Sequence, residues 1–507
     1  MRERSRRRRR RDGRERAAAI EALVQPLRRV PTYALADPEV IETIHQKSLR
    51  VLAEVGVAFY DAETQAILRQ HGVEVRDDIA YFDPALVEAY LAKAPASFTL
   101  RARNPERNVH IGGDAVCFAP VYGPPYVVDW ARGRRPATLE DFQNFVKLTY
   151  MSPYLHHSGG VIVEPNDVPV TERHLDMLFA HIKFSDKPFM GAVTSAENAA
   201  DSVRMAEILF GEATVREYPV LLALINISSP RRLDERMLGA LRVYAQARQA
   251  LLISPFILSG AMAPVSIAGT LVQMNAEALA GIVLAQMIQP GTPVIYGAFQ
   301  TNVDLRSGST VFGSPESQIT LLVSAQLARR YNVPFRSGGM FTSAKIPDAQ
   351  AGYESVMSML PAIFSRVHFI LHAAGWLENG LAAGYEKFVL DCDVLGMFHV
   401  FLKGLDTSED AWAEASIRTV PPGGHHLDTP HTLRHYRTAF YQAQIFDYSS
   451  AEQWANQGSK DAYRRAHERV QKLLQEYTPP PLDPGIEEAL QAYIARRKAE
   501  IRREVRR

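Results

Sequence analysis

From about residue 112 to residue 403 the chain alternates short apolar, β-branched runs with longer amphipathic stretches, and this rhythm limits the fold more than any other feature. Runs at 116–121, 155–163, 188–193, 220–225, 251–258, 293–296, 333–336 and 368–371 read as strands. Apolar residues at helical spacing between them predict helices near 139–150, 171–183, 196–210, 233–249, 268–289, 314–331, 350–364 and 384–402. Strands that alternate with helices form βαβ units around a parallel sheet, and eight units in one stretch favour a closed barrel over an open sheet. A hairpin through Gly123-Pro124-Pro125 is the alternative for the first strand and would lower the count by one.

Boundary signals agree with the frame. Ser195 before 196–210 is an N-cap and Gly211 after it a C-cap, while Ser314-Pro315-Glu316 opens the sixth helix with a cap, a first-turn proline and a first-turn acid. The expected fold class is therefore α/β, a (β/α)8 TIM barrel over 112–403. A mostly helical N-terminal subdomain (21–111) and a C-terminal helical extension (404–507) flank it, and an Arg-rich disordered tail (1–20) precedes it.

The net charge of +1 conceals an asymmetry: residues 1–16 carry +7 and residues 496–507 carry +5, so the rest carries −11. A run of six arginines at 6–11 repels itself and suggests a solvated tail, with an anionic protein or nonspecific nucleic acid as its alternative partner. No apolar segment follows it, so it does not read as an export signal. No uninterrupted apolar run of membrane-spanning length occurs; the most apolar stretch, 279–297, is broken by Gln286, Gln289 and Pro290. Two cysteines, Cys117 and Cys392, exclude a disulfide framework, and a reducing cytoplasm fits best. The charged stretch 486–506 reads as a helix that wraps a neighbouring subunit, which favours a homo-oligomer.

In a parallel barrel the active site lies at the C-terminal ends of the strands. Those ends are rich in Gly, Ser, Asn and aromatic residues here, the composition of a ligand-binding rim, although turn geometry alone also selects Gly and Ser. Three segments concentrate chemistry: Tyr296 through Asp304, Lys345 through Glu354, and His372 through Gly380. Within the second, Asp348 is either a functional carboxylate or a helix N-cap. Glu386 and Lys387, farther along, read as solvated helix charges, and His156-His157 as a strand pair with one ring facing the core. His431 and His435 lie at i, i+4, but no carboxylate or cysteine completes a metal set at a familiar spacing, so no metal is expected. No dinucleotide, P-loop or serine-hydrolase motif occurs.

Several segments, in order, resemble the trimethylamine methyltransferase family. They are Asp186-Lys187-Pro188-Phe189-Met190-Gly191; Gly260-Ala261-Met262-Ala263-Pro264 followed by Ala268-Gly269-Thr270-Leu271-Val272-Gln273 and Asn275-Ala276-Glu277; Gly375-Trp376-Leu377-Glu378 with Gly380-Leu381; and Glu386-Lys387-Phe388-Val389 with Asp391. The resemblance implies a barrel enzyme that moves a methyl group from a methylated amine to the cobalt of a separate corrinoid protein, with no tightly bound cofactor of its own. The trimethylamine-specific branch of the family carries pyrrolysine, and this sequence has none. A quaternary ammonium leaves as a neutral tertiary amine and needs no acid, whereas trimethylamine would leave as an amide anion. The chain is thus expected to use a quaternary amine such as glycine betaine, with trimethylamine or another methylated donor as the alternative. A nonenzymatic, nucleic-acid-binding scaffold built on the Arg tail is the competing class. A quaternary cation is held by aromatic faces and carboxylates. Strand-end position then nominates Tyr296, Phe299, Asn302, Asp304, Arg336, Gln350, Tyr353, His372 and Trp376 for substrate, Asp348 and Glu378 for catalysis, and Gly338 and Gly339 to face the cofactor. Arg336 or Lys345 would answer the carboxylate of a betaine.

Overall fold

Seven short strands pair in parallel: β1 (Cys117–Phe118), β2 (Phe189–Met190), β3 (Leu221–Ser228), β4 (Ala250–Ser259), β5 (Val294–Gly297), β6 (Phe335–Arg336) and β7 (Phe369–Ile370). Their order is β2-β3-β4-β5-β6-β7-β1. The gap between β1 and β2 is closed by the segment 155–160, where His156 N–H donates to Phe118 O (2.9 Å), Ser158 N–H to Pro188 O (2.7 Å) and Met190 N–H to Gly159 O (2.8 Å). Seven of the eight sequence-predicted strands form, and the segment 155–160, where a strand was expected over 155–163, takes the eighth position without becoming one, so the (β/α)8 barrel closes in this computed structural model, which describes residues 25–505. The arginine run at 6–11 lies outside those residues. The first strand is not part of a hairpin through Gly123-Pro124-Pro125; a different hairpin, Tyr126–Asp129 with Gly133–Pro136, follows that turn.

Each stave is followed by its helix: α1 (Leu139–Met151), α2 (Arg173–Phe184), α3 (Ala196–Phe210), α4 (Glu235–Gln246), α5 (Ile267–Ile288), α6 (Pro315–Arg330), α7 (Ala349–Phe364) and α8 (Tyr385–Leu402). Caps sit where the sequence puts them. Ser195 accepts from Asn198 N–H, Ser314 from Ser317 N–H, and Gly211 ends α3 with φ +83°.

Strand alternation separates two layers. Cys117, Ala119, Met190, Leu222, Leu224, Leu252 and Ile295 face the barrel interior, where Phe98, Leu100, Val109 and Ile111 join them. Those four come from an antiparallel hairpin, Phe98–Leu100 with Val109–Ile111, and Arg101 N–H donates to Pro219 O just before β3. The hairpin thus plugs the N-terminal end of the barrel and leaves the opposite end as the mouth.

Helix α5 is apolar on every face because it is covered on every face. It packs against β4 on one side and against the N-terminal helices Pro38–Arg50 and Pro84–Leu91 on the other. By length and composition it could cross a membrane, yet 78% of its most apolar window is buried inside this fold. Burying a Leu, Ile or Met side chain contributes about 1.5–3 kcal/mol, so this helix anchors the N-terminal region to the barrel.

The C-terminal charged helix, Pro484–Val505, lies along this chain's own barrel helices. Its cations meet this chain's own acids: Lys498 with Asp176 (2.6 Å), Arg497 with Asp201 (2.7 Å) and Arg502 with Glu172 (2.6 Å). Three of its cations are thus paired with α2, α3 and the residue that precedes α2.

Candidate active site

Strand β6 ends on Arg336, which the β6 register places beside Gly297 of β5 and Phe369 of β7. It points into the upper barrel and is 1% exposed. One Nη donates to Ser254 Oγ on β4 (3.2 Å), its guanidinium lies 5.0 Å from the ring centre of Phe299, and its Nε has no partner. Burial pulls its pKa down to about 9. No carboxylate among the described residues pairs with it. An unpaired buried cation is expensive, and its chemistry here suits an anion.

Phe299, beside that guanidinium, is one wall of an aromatic box. Phe299 stacks on the His372 ring (5.4 Å), Trp376 meets His372 edge-on (4.7 Å), and Phe341 and Phe312 meet Trp376 at 5.0 and 4.9 Å. Trp376 Nε1–H donates to Thr342 O (3.1 Å), which fixes the indole plane. His372 has φ +61° and its Nδ1 accepts from Tyr122 N–H (3.2 Å). Burial, and then the Arg336 charge, push the His372 pKa well below its usual value, so its ring is neutral. Beside the box, a small cavity lined by Phe299, Gln300, Phe312, Gln318 and Phe341 holds the unpartnered Oε1 atoms of Gln300 and Gln318.

A second tier holds these side chains in place. Lys387 Nζ contacts both Asp391 oxygens (2.5 and 2.6 Å), and Asp391 in turn accepts from Gly375 N–H (2.9 Å), next to Trp376. Burial drives Asp391 up to about 6, against the pull of Lys387 and Gly375. Glu354 accepts from Thr342 Oγ1 (2.6 Å) and Ser343 N–H (2.7 Å) and so fixes the loop that receives the indole.

The nominated residues divide. Phe299, Arg336, His372 and Trp376 come together. Tyr296 is fully buried on the other side of the wall: on β5, Ile295 turns inward and Tyr296 outward, where its hydroxyl donates to Asn275 (2.9 Å). Asn302 accepts from Ser314 Oγ (2.7 Å) at the start of α6, and Asp304 closes a turn by accepting from Ser307 Oγ (2.6 Å). Asp348 is the N-cap of α7, accepting from Ala351 N–H (3.1 Å). Gln350 pairs with Glu354 on the exposed side, and Tyr353 is 78% exposed on that helix. Lys345 is exposed and bonds its own loop. Glu378 accepts from Arg134 at the rim (2.7 Å). Gly338 and Gly339 are demanded by packing. A Cβ on Gly338 would lie 2.5 Å from that of Ala362, and one on Gly339, at φ +127°, 2.5 Å from Leu371 O.

Three further readings change. Glu386 and Lys387 are buried, not solvated: the helix Ala462–Glu476 packs on α8 and its His467 bonds Glu386 (2.9 Å), while Lys387 pairs with the buried Asp391 (2.5 Å). Both histidines of the 156–157 pair are buried and face opposite ways: His157 lies against the interior Phe369 (5.3 Å) and His156 against Phe118 (5.7 Å) in the helix layer. His431 and His435 acquire a carboxylate from a separate helix, Asp410, within 4.8 Å of both. Asp410 also pairs with Arg434 (2.8 Å), and the group as it stands is a hydrogen-bonded ion-pair cluster. Phe312, Phe341, Ser254 and Glu354 were not nominated. Glu354 lies in one of the three segments singled out above and Phe341 just beyond the end of β6, but nothing in their spacing marked either one.

The profile of the trimethylamine methyltransferase family matches residues 3–502. A glycine betaine methyltransferase of Desulfitobacterium hafniense is 45% identical over 93% of this chain and 98% of its own. A proline betaine:corrinoid methyltransferase of Eubacterium limosum is 30% identical over 90% and 96%, and a trimethylamine methyltransferase MttB of Methanosarcina thermophila 28% over 90% and 95%. Among solved structures, the monomethylamine methyltransferase MtmB of Methanosarcina barkeri superposes with a TM-score of 0.51 at 11% identity over 88% of each chain, a likeness of fold alone. With a family match across almost its whole length on a barrel of the expected build, the chain belongs to the trimethylamine methyltransferase family.

Proposed function

We propose that the protein takes a methyl group from a quaternary amine that also carries a carboxylate, glycine betaine first among them, and passes it to a corrinoid carried on another protein. The observation that supports this most is the pairing of an unanswered buried guanidinium, Arg336, with an aromatic box at the same barrel mouth. A betaine is a short zwitterion: its carboxylate suits Arg336, and its trimethylammonium suits the faces of Phe299, Phe341 and Trp376. The name of the relative that is 45% identical agrees with that substrate class.

The residues then act by binding and orientation. Arg336 fixes one end of the substrate, and the rigid indole of Trp376, held by Thr342 O, fixes the other. One methyl is left facing the open end of the barrel, where a partner can approach. Well-oriented reactants gain up to about 7–11 kcal/mol from such positioning. The reduced corrinoid, when docked, supplies the nucleophile that accepts the methyl. A neutral dimethylamino product leaves, so no acid is required, which agrees with a neutral His372 and with Glu378 and Asp348 engaged elsewhere. A low-potential corrinoid and two unpaired cysteines fit a reducing cytoplasm.

The test is turnover. The purified chain, glycine betaine and reduced cobalamin should yield dimethylglycine, with trimethylamine inert in the same mixture, and Trp376→Ala should lower the rate at least tenfold. Absence of dimethylglycine with cobalamin and with a corrinoid protein, or equal demethylation of trimethylamine, would sink the proposal.

A further inference from the structure

The stretch 405–440 leaves the end of α8 and rejoins the body where Tyr441 OH donates to Asp393 (2.7 Å) and Ile445 N–H donates to the same carboxylate (2.9 Å). Between those points it folds into three short helices, Glu409–Trp412, Glu414–Thr419 and Pro430–His435. Its centre is polar. Among the described residues it buries only Ser416 and Thr429, and His431, Thr432 and His435 are partly buried. Ser416 Oγ donates to Thr429 Oγ1 (3.1 Å), and Thr429 Oγ1 to Thr432 Oγ1 (3.2 Å). Segments of fewer than about 40 residues with no apolar centre usually depend on a disulfide, a metal or a partner for their order. Cys117 and Cys392 both lie outside this one, so a disulfide is not the device here.

Two of its helices converge on one point. His431 and His435 stand at i, i+4 on Pro430–His435, with ring centres 4.7 Å apart. Asp410 faces them from Glu409–Trp412. His435 Nε2–H donates to Asp410 Oδ2 (2.6 Å), and His431 Nε2–H donates to the Asp410 carbonyl oxygen (2.9 Å). One ligand atom from each of the three residues lies within 4.8 Å of the other two. Four-coordinate zinc, with bonds of about 2.0–2.2 Å, holds its ligand atoms about 3.4 Å apart. Side-chain rotation supplies that closure at a partly exposed site. Arg434 Nη2 takes the other carboxylate oxygen, Asp410 Oδ1 (2.8 Å), which orients the carboxylate and leaves Oδ2 toward the histidines. A surface cavity of about 340 Å³, lined by Asp410, Glu414, His431 and Arg434 among others, adjoins the point and has room for a water.

We propose that Asp410, His431 and His435 bind a zinc-type divalent ion, with water as the fourth ligand, and that this ion pins Glu409–Trp412 to Pro430–His435. Two imidazole nitrogens and one carboxylate oxygen, with no thiolate, suit Zn2+, whereas Ca2+ and Mg2+ take sets made of oxygen. On binding, the Nε2 proton of each ring moves to Nδ1 or to solvent, and the freed lone pair meets the ion. The role is structural. Barrel helices run back from the mouth, so a stretch that springs from the C-terminal end of α8 starts at the far end of the barrel from Arg336 and Trp376.

Cobalt titration of the untagged, chelator-stripped full chain tests this. Co2+ should bind as one ion per chain and give the intense visible absorption of a four-coordinate site, and Zn2+ should displace it while Ca2+ and Mg2+ do not. His431→Gln and His435→Gln should each lower affinity by at least about 100-fold, more than loss of a supporting contact costs, and Arg434→Ala by about 10–100-fold. His425, an exposed histidine of the same stretch that pairs with Asp428 (3.6 Å), provides the control: His425→Gln should leave the band unchanged. Zn2+ should also slow tryptic cleavage within 405–440 in the native chain and not in His435→Gln. Absence of the band in the native chain, a band that survives in both histidine variants, or bound Zn2+ that leaves the cleavage rate unchanged would overturn the proposal.

Discussion

Replacing Arg336 with methionine should separate stability from substrate binding. In the substrate-free fold the guanidinium pKa falls from 12.5 to about 9 through burial, with no carboxylate to offset it. The folded chain therefore holds that proton less tightly than the unfolded chain. The penalty is full at every pH below about 9 and is relieved only as pH rises from 9 toward 12.5. At 1.36 kcal/mol per pKa unit, the shift corresponds to a cost on the order of 5 kcal/mol. Methionine keeps the buried stem and deletes the charge, so Arg336→Met should hold or raise the melting temperature. Substrate binding should move the other way. Truncating one partner of a buried, hydrogen-bonded charge pair costs about 2–5 kcal/mol, which is roughly 30- to 5,000-fold in Kd. Calorimetry with glycine betaine and with choline, which has the same ammonium but no carboxylate, reads the difference. Betaine affinity should fall by that factor while choline affinity is unchanged or improves. A variant that loses melting temperature, or that loses betaine and choline equally, would show that Arg336 is a structural cation and refute the reasoning.

Two pH-dependent outcomes follow from the ion pairs behind the site. Burial raises the folded pKa of Asp391 from 3.8 to about 6, so its contribution to stability is present below 3.8 and is lost as pH rises through about 6. Urea unfolding between pH 4 and 7 should show this slope in the native chain and not in Lys387→Met/Asp391→Leu. Asp201 behaves in the opposite sense. Burial pushes it up, but hydrogen bonds from His174, Arg497 and Tyr493 outweigh that and hold it at about 2. Its stabilisation, about 2 kcal/mol, is full above 3.8 and lost as pH falls through about 2. Asp201→Asn should remove that acid sensitivity, and Arg497→Ala should expose the helix Pro484–Val505 to limited proteolysis at neutral pH.

The barrel was legible because its signals are local. A β-branched run followed by a capped, 3.6-periodic stretch specifies a βα unit without knowledge of the rest of the chain, and eight in succession leave few ways to close. The exception is 155–163, expected as a strand: four backbone hydrogen bonds tie 155–160 to its neighbours, enough to hold the stave position but not to make a strand. The site was legible only in part, because strand-end position does not say which way a side chain points. Tyr296 and Arg336 are both polar residues at strand ends, yet one bonds Asn275 in the helix layer and the other faces the mouth. Period-2 alternation would have separated them once Ile295 was assigned to the interior.

The remaining misreadings share one cause: whether a charge is solvated depends on elements far away in sequence. Glu386 looks like a surface charge until His467 of the helix Ala462–Glu476 is laid against it, and Lys387 until its pairing with Asp391, which holds Gly375 at a strand end, is seen. The apolar residues of 405–440 pose the same question in reverse. No element of this chain covers them among the described residues, although they resemble core side chains in composition. Arg336, a buried cation with no carboxylate partner among the described residues, is thus a place where the fold is incomplete by its own chemistry. A zwitterionic substrate would complete it, and loss of betaine binding in Arg336→Met should then leave the melting temperature unchanged or raised.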